Sequence, residues 1–167
     1  AAGAIGFATC RILAEEGARV MLVDIDNDRL QTRTAELKAA GHDAIAFHAD
    51  CADETQVKAY AQAALDAFGH VDGFFNNAGI EGTLAPTHEY DVAEFDHVLH
   101  VNLMGMFLGL RHVLPAIVER RRGAVVNTAS IGSERGLAGA CAYNAAKHGA
   151  VGLTRTAASE VAQKGVR

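Results

Sequence analysis

The sequence predicts an α/β protein with a doubly wound, mainly parallel sheet and helices on both faces. Three observations carry this expectation. Short apolar segments with β-branched members alternate with longer segments of helical periodicity. Glycines fall at the joints between them. The strand segments are unbroken apolar runs, the pattern of strands covered by helices on both sides.

Taken in order, residues 6–16 read as a helix stopped by Gly17, since glycine accepts the left-handed conformation that follows a helix. Val20-Met21-Leu22-Val23 reads as a buried strand ending at Asp24. Residues 28–40 form the next helix, with Asp26 or Asn27 as its cap and Gly41 as its stop. Residues 44–47 are a second strand leading to Asp50. Asp53 and Gln56 have capping-box spacing and open a helix that runs to Phe68 before Gly69. Residues 71–75 are a third strand, entering Asn76-Asn77-Ala78-Gly79. Asp91 and Glu94 repeat the capping-box pattern and open a long helix to about Arg121, with Pro115 as an expected kink. Val125-Val126-Asn127 is a fourth strand, followed by a glycine-rich loop. The last helix is expected from about Ala140 to Lys164, ended by Gly165. No repeat or linker divides the 167 residues, so one domain is expected.

Composition narrows the function. Half the residues are apolar and 21% are charged, as in soluble globular proteins. A net charge of -5 argues against nucleic acid or an anionic membrane as the main partner. The basic run Arg120-Arg121-Arg122 falls at a helix end, where it complements the helix dipole. Cys10, Cys51 and Cys141 are odd in number and far apart, which suggests reduced thiols and a cytoplasmic protein. No unbroken apolar run reaches the roughly 18 residues of a membrane span. No signal peptide is visible, and the chain lacks an initiator Met, as a fragment would. His97 and His100 share a helix with His112, but nothing has the spacing of a metal site, and no metal is expected. His88, His97 and His100 are read as surface or subunit-contact residues, and Met104, Met106 and Phe107 as core or interface.

Four constellations point to chemistry. Ala1-Ala2-Gly3-Ala4-Ile5-Gly6 opens a helix, so small residues let backbone approach a pyrophosphate at the positive end of the helix dipole. Gly3, Ile5 and Gly6 are the expected contacts. Asp24 lies 18 residues beyond Gly6, close to the spacing of an acid that accepts hydrogen bonds from the ribose of NAD and repels the 2′-phosphate of NADP. Tyr143 and Lys147 stand one helical turn apart on one face. A cation there stabilises a phenolate and lowers the phenol pKa, which gives a general acid/base for an alcohol or ketone oxygen. Ser130 follows a strand and precedes Tyr143 by 13 residues. At the carboxyl edge of a parallel sheet, it can converge with Tyr143 on one substrate oxygen.

Asn77-Ala78-Gly79 after a strand, Asn102 within Val101-Asn102-Leu103, Ser130, Tyr143 and Lys147 together resemble the short-chain dehydrogenase/reductase family. The resemblance spans essentially all 167 residues. It implies a Rossmann-like fold, NAD as cofactor and hydride transfer to or from a secondary alcohol or ketone. It also implies Asn102, Ser130, Tyr143 and Lys147 as catalytic residues. Asp50 would contact the adenine, Asn77, Ala78 and Gly79 would border the cofactor, and Tyr143 and Lys147 would bind its nicotinamide ribose. Asn102 would help hold a water that relays the proton. A homo-oligomer, commonly a tetramer, is implied in the complete protein. Residues 76–82 are similar to dehydrogenases of cyclic secondary alcohols.

Two departures qualify the resemblance. The family's first strand and its Thr-Gly would precede Ala1, and further strands would follow Arg167, so the domain is expected to be incomplete at both ends. Gly3 and Gly6 also fit the glycine spacing of extended enzymes such as NAD-retaining epimerases or dehydratases. A catalytically incomplete fragment or binding module is a further alternative.

Overall fold

The computed structural model describes residues 1–167. The chain divides into two compact units, Ala1–Gly69 and His70–Arg167.

In the first unit, helix α1 spans Ala4–Glu15, strand β1 Val20–Asp24, helix α2 Asn27–Ala39, strand β2 Ala44–His48 and helix α3 Glu54–Phe68. Gly17 closes α1 at φ 87°, and the Ala18 N–H donates to the Leu13 carbonyl at 3.0 Å, the bond of a Schellman ending. Strands β1 and β2 pair in parallel from Val20↔Ala44 to Asp24↔His48. Helices α1 and α2 pack on β1, and α2 also packs on β2. Their contact is the apolar core of this unit, in which Leu22 and Leu30 are fully buried and Leu37 nearly so. Burying each of these side chains contributes about 2 kcal/mol.

Asp26, rather than Asn27, caps α2, accepting from the Arg29 N–H at 3.0 Å. Asp53 caps α3 by accepting from the Gln56 N–H at 3.0 Å. The return half of the expected box is absent, because Gln56 Oε1 accepts from the Asp50 N–H instead, at 2.9 Å. The second box is altered in the same way. Asp91 accepts from the Glu94 N–H at 2.8 Å, while Glu94 Oε1 accepts from the Thr83 N–H at 3.0 Å. In each case the loop before the cap folds back and offers a better-placed donor, so the side chain pins a loop to a helix.

In the second unit, strand β3 spans Gly73–Asn76, helix α4 Val92–Leu99, helix α5 Gly105–Glu119, strand β4 Ala124–Asn127 and helix α6 Cys141–Val161. Strands β3 and β4 pair in parallel from Gly73↔Ala124 to Asn76↔Asn127. Val71 and Asp72, expected in the strand, stay outside it, and Asp72 turns its carboxylate to Arg120 at 2.7 Å and His70 at 3.0 Å. Val166 forms a parallel bridge to Gly123, and the Val125 N–H donates to the Arg167 carbonyl at 2.8 Å. Helix α6 ends three residues earlier than expected and gives way to turns.

The long helix expected between Asp91 and Arg121 is interrupted, though not at Pro115, which lies inside an unbroken α5. The interruption is a π-helical turn, His100–Met104, between α4 and α5. The rod Val92–Glu119 reaches a mean hydropathy of 1.5, which makes it long and apolar enough to cross a membrane by length and composition. Counting unbroken apolar runs missed this, because Asp96, His97, His100 and Arg111 punctuate the segment. Much of its apolar surface is spent on the core: Val98, Met106, Leu108, Val113 and Ile117 are buried, and α5 packs on β3 and β4.

Candidate active site

The first unit brings Gly3, Gly6 and Asp24 together. Gly3 is the N-cap of α1 and makes no side-chain cap bond, and the first helical bond runs from the Phe7 N–H to the Gly3 carbonyl. The amides of Ala4, Ile5 and Gly6 therefore have no partner within the helix, which is the arrangement that receives an anion. A Cβ on Gly6 would lie 2.9 Å from Ala1 Cα, so only glycine lets the preceding backbone cross this turn so closely. Gly3 has open space where a Cβ would project, and Ile5 is exposed.

Asp24 ends β1. Its Oδ2 accepts from the Ala2 N–H at 2.8 Å, and its Oδ1 accepts from the Asp26 N–H at 3.0 Å. Partial burial acts to raise its pKa, and the bonds from the Asp26 and Ala2 amides act to lower it. Asp50 follows β2, and its Oδ1 accepts from the Ala52 N–H at 2.8 Å, fixing the turn into α3.

The second unit brings together Asn77, Gly79, Asn102 and Lys147. Parallel pairing sets Asn76 opposite Asn127, which places the residues that follow side by side. The Thr128 hydroxyl donates to Asn77 Oδ1 at 2.8 Å, and the Thr128 carbonyl accepts from Lys147 Nζ at 2.8 Å. Thr128 thus joins the turn after β3 to the Lys147 ammonium. Sequence reading missed it, because the register that creates the junction is a tertiary fact.

Asn102 is fully buried in the π-helical turn. Its Oδ1 accepts from the Ile80 N–H at 3.2 Å, and its Nδ2 donates to the carbonyls of Ile80 at 2.8 Å and Val98 at 2.9 Å. A Cβ on Gly79 would lie 2.5 Å from Asn102 Oδ1, so glycine there is a condition of this contact. The side-chain amide is thus committed to holding the turn after Gly79.

Lys147 is only 3% exposed, and burial lowers its pKa. Its Nζ lies 5.6 Å from the centre of the Tyr143 ring. Ser130 has extended backbone just after β4, and its Oγ accepts from the Gly132 N–H at 3.1 Å. With that lone pair engaged, the hydroxyl hydrogen can still donate. The 3₁₀ turn Ile131–Ser133 that begins beside Ser130 packs on α6, the helix that carries Tyr143.

A family model described as short chain dehydrogenase matches residues 1–167, and the chain belongs to that family. It is 48% identical over 165 residues to levodione reductase of Leifsonia aquatica, covering 98% of this chain and 62% of that protein. It is 39% identical over 167 residues to cyclohexanol dehydrogenase of Acinetobacter sp. (strain SE19), covering 100% of this chain and 66% of that protein. The crystal structure of levodione reductase superposes with a TM-score of 0.96 at 46% identity, over 99% of this chain and 65% of the other. That of NAD+-bound xylitol dehydrogenase gives 0.97 at 34% identity, over 99% and 64%. The expected Rossmann-type class therefore holds. Solved relatives include complexes with NAD+ and with NADP.

Proposed function

We propose that this chain is the greater part of one dinucleotide-binding domain, in a cytoplasmic oxidoreductase that interconverts a secondary alcohol and its ketone with NAD. The observation that carries this reading is Lys147, a buried ammonium fixed by the Thr128 carbonyl one helical turn from Tyr143. A cation beside a phenol is the arrangement of a general acid/base, and Tyr143 exchanges a proton with the substrate oxygen. In reduction Tyr143 gives the proton to the ketone oxygen, and in oxidation it takes the alcohol proton. Ser130 donates its hydroxyl hydrogen to the same oxygen. Asn102 holds the turn after Gly79 and presents its backbone to a water that relays the proton.

The residues present fit the cofactor. The uncapped amides at Gly3 to Gly6 suit a pyrophosphate, Asp24 suits a ribose diol, and Asp50 is assigned to the adenine. Asn77, Ala78 and Gly79 border the nicotinamide half, where Tyr143 and Lys147 bind its ribose. Bound NAD supplies the hydride acceptor or donor. The Asp24 carboxylate favours NAD over NADP by repelling a 2′-phosphate. The names of levodione reductase and cyclohexanol dehydrogenase favour a cyclic substrate.

In the full-length protein, Tyr143→Phe lowers kcat about 1,000-fold and leaves NADH affinity within about twofold. Turnover near wild type would remove the assignment.

The complete protein is proposed to be a homo-oligomer. A groove of about 550 Å³ on α4, α5 and α6 is lined by Leu99, His100, Leu103, Met104, Phe107 and Leu153, and Phe107 is 40% exposed. Phe107→Asp is expected to shift sedimentation toward smaller species, and an unchanged sedimentation profile would reject this face as the contact.

A further inference from the structure

The glycine-rich loop that follows Ser130 is held from α6 by a residue that neither the family signature nor the proposed chemistry uses. Asn144 follows Tyr143, and its Nδ2 donates to the Leu137 carbonyl at 2.9 Å. The same carbonyl accepts from the Ala140 N–H at 3.1 Å. Ala140, the N-cap of α6, supplies no side-chain bond of its own. Asn144 Oδ1 is buried without a hydrogen-bond partner. It points at Gly132, where a Cβ would lie 2.6 Å from Oδ1 and 3.5 Å from Ser130 Oγ. Exchanging the amide's oxygen and nitrogen would set Oδ1 against the Leu137 carbonyl, so the observed orientation is the favourable one.

One amide group therefore touches both ends of the loop. Its nitrogen anchors the end that enters α6, and its oxygen seats on Gly132, whose own N–H holds the Ser130 hydroxyl at 3.1 Å. Ser133 adds a second tie, its hydroxyl donating to the Ser130 carbonyl. The uncompensated burial of Oδ1 disfavours folding, since a buried acceptor with no donor carries a desolvation cost. Its position is enforced by the bond at the other end of the amide.

We propose that Asn144 is a positioning residue that fixes Ser130 relative to Tyr143, acting through Gly132 and the loop 131–139. The inference rests on the catalytic roles proposed above for Ser130 and Tyr143. Without the clamp Ser130 is loosely placed, and misplacing such a group by about 1 Å costs roughly 100-fold in rate.

The test uses the full-length protein. Two variants are needed, Asn144→Ala and Gly132→Ala, together with the double variant. Asn144→Ala is expected to speed hydrogen–deuterium exchange in peptides covering 130–139 by about tenfold and to leave α1–α3 unchanged. It is also expected to lower kcat by about 100-fold with the KM for NADH unmoved. Gly132→Ala, whose methyl group strikes Oδ1, is expected to give the same loss. In the Asn144→Ala background that methyl group meets only ordinary contacts, Leu137 at 3.4 Å and Ser130 Oγ at 3.5 Å, so the second substitution adds little. Unchanged exchange over 130–139 overturns the clamp whatever the activity. Faster exchange with turnover near wild type overturns the positioning role, as does full additivity of the two substitutions. If Tyr143→Phe retains wild-type turnover, the proposed function fails separately, and the exchange data still decide whether the clamp exists.

Discussion

In Ala1–Gly69 the candidate site groups lie at the ends of β1, β2 and α1 and are held mostly by backbone amides. In His70–Arg167 two of them, Asn102 and Lys147, are buried side chains that reach residues distant in sequence. Asp24 bonds to the Asp26 amide and Asp50 to the Ala52 amide. Asn76 reaches the Met106 carbonyl, Asn102 reaches Ile80, and Lys147 reaches Thr128. Of the four buried polar residues, Asn76, Asn102 and Lys147 belong to the second unit, and Thr34 alone to the first. The two strategies act on the ionisable groups in different senses. Backbone hydrogen bonds favour the charged form of Asp24, while burial acts the other way. Burial weakens the charged form of Lys147. The first arrangement suits a group that recognises by a permanent charge, and the second suits a group that must influence a proton.

The largest expected effect lies in the second unit. Tyr143→Phe removes the proton-exchanging group, so kinetics and NADH titration should part company, the rate falling about 1,000-fold at almost unchanged affinity. Next comes Asn102→Ala, which strips three hydrogen bonds from a fully buried position and leaves Ile80 and Val98 with unsatisfied groups. A loss of about 3 kcal/mol in urea unfolding is expected. A loss below about 1 kcal/mol would show that water replaces the amide and that burial does not set the difference between the units. The smallest effect belongs to Asp24→Asn. It removes the charge but keeps the size, and the preference for NADH over NADPH should fall by about tenfold, as read from the two Kd values.

The same contrast explains what was legible in the sequence. Gly17 as a stop, Asp26 and Asp53 as caps, and Asp24 at a strand end are local signals, and the structure carries them out with bonds a few residues long. Ser130, Tyr143 and Lys147 were legible because their residue types and spacing are chemically unusual together. Thr128 and Asn144 were not, for each acts through contacts that exist only after β3 meets β4 or after the loop closes on α6. Gln56 and Glu94 show the limit within a local motif. Their spacing from the cap matches a capping box, but their acceptor oxygens go to the Asp50 and Thr83 amides, supplied by loops whose paths no periodicity encodes.

The π-helical turn at His100–Met104 has a consequence for how this segment can change over descent. A helix that bonds five residues back instead of four holds one residue more than its neighbours require, and each residue turns the chain by about 100°. Deleting any one residue from 100–104 would restore regular bonding and raise intrinsic helix stability. It would also swing Asn102 off Ile80, or rotate the buried face of α5 away from β3 and β4. Substitution is open to a lineage at many positions of this rod, but a change of length in this turn is not. The extra residue fits two packed surfaces at once, Asn102 against Ile80 and α5 against β3 and β4.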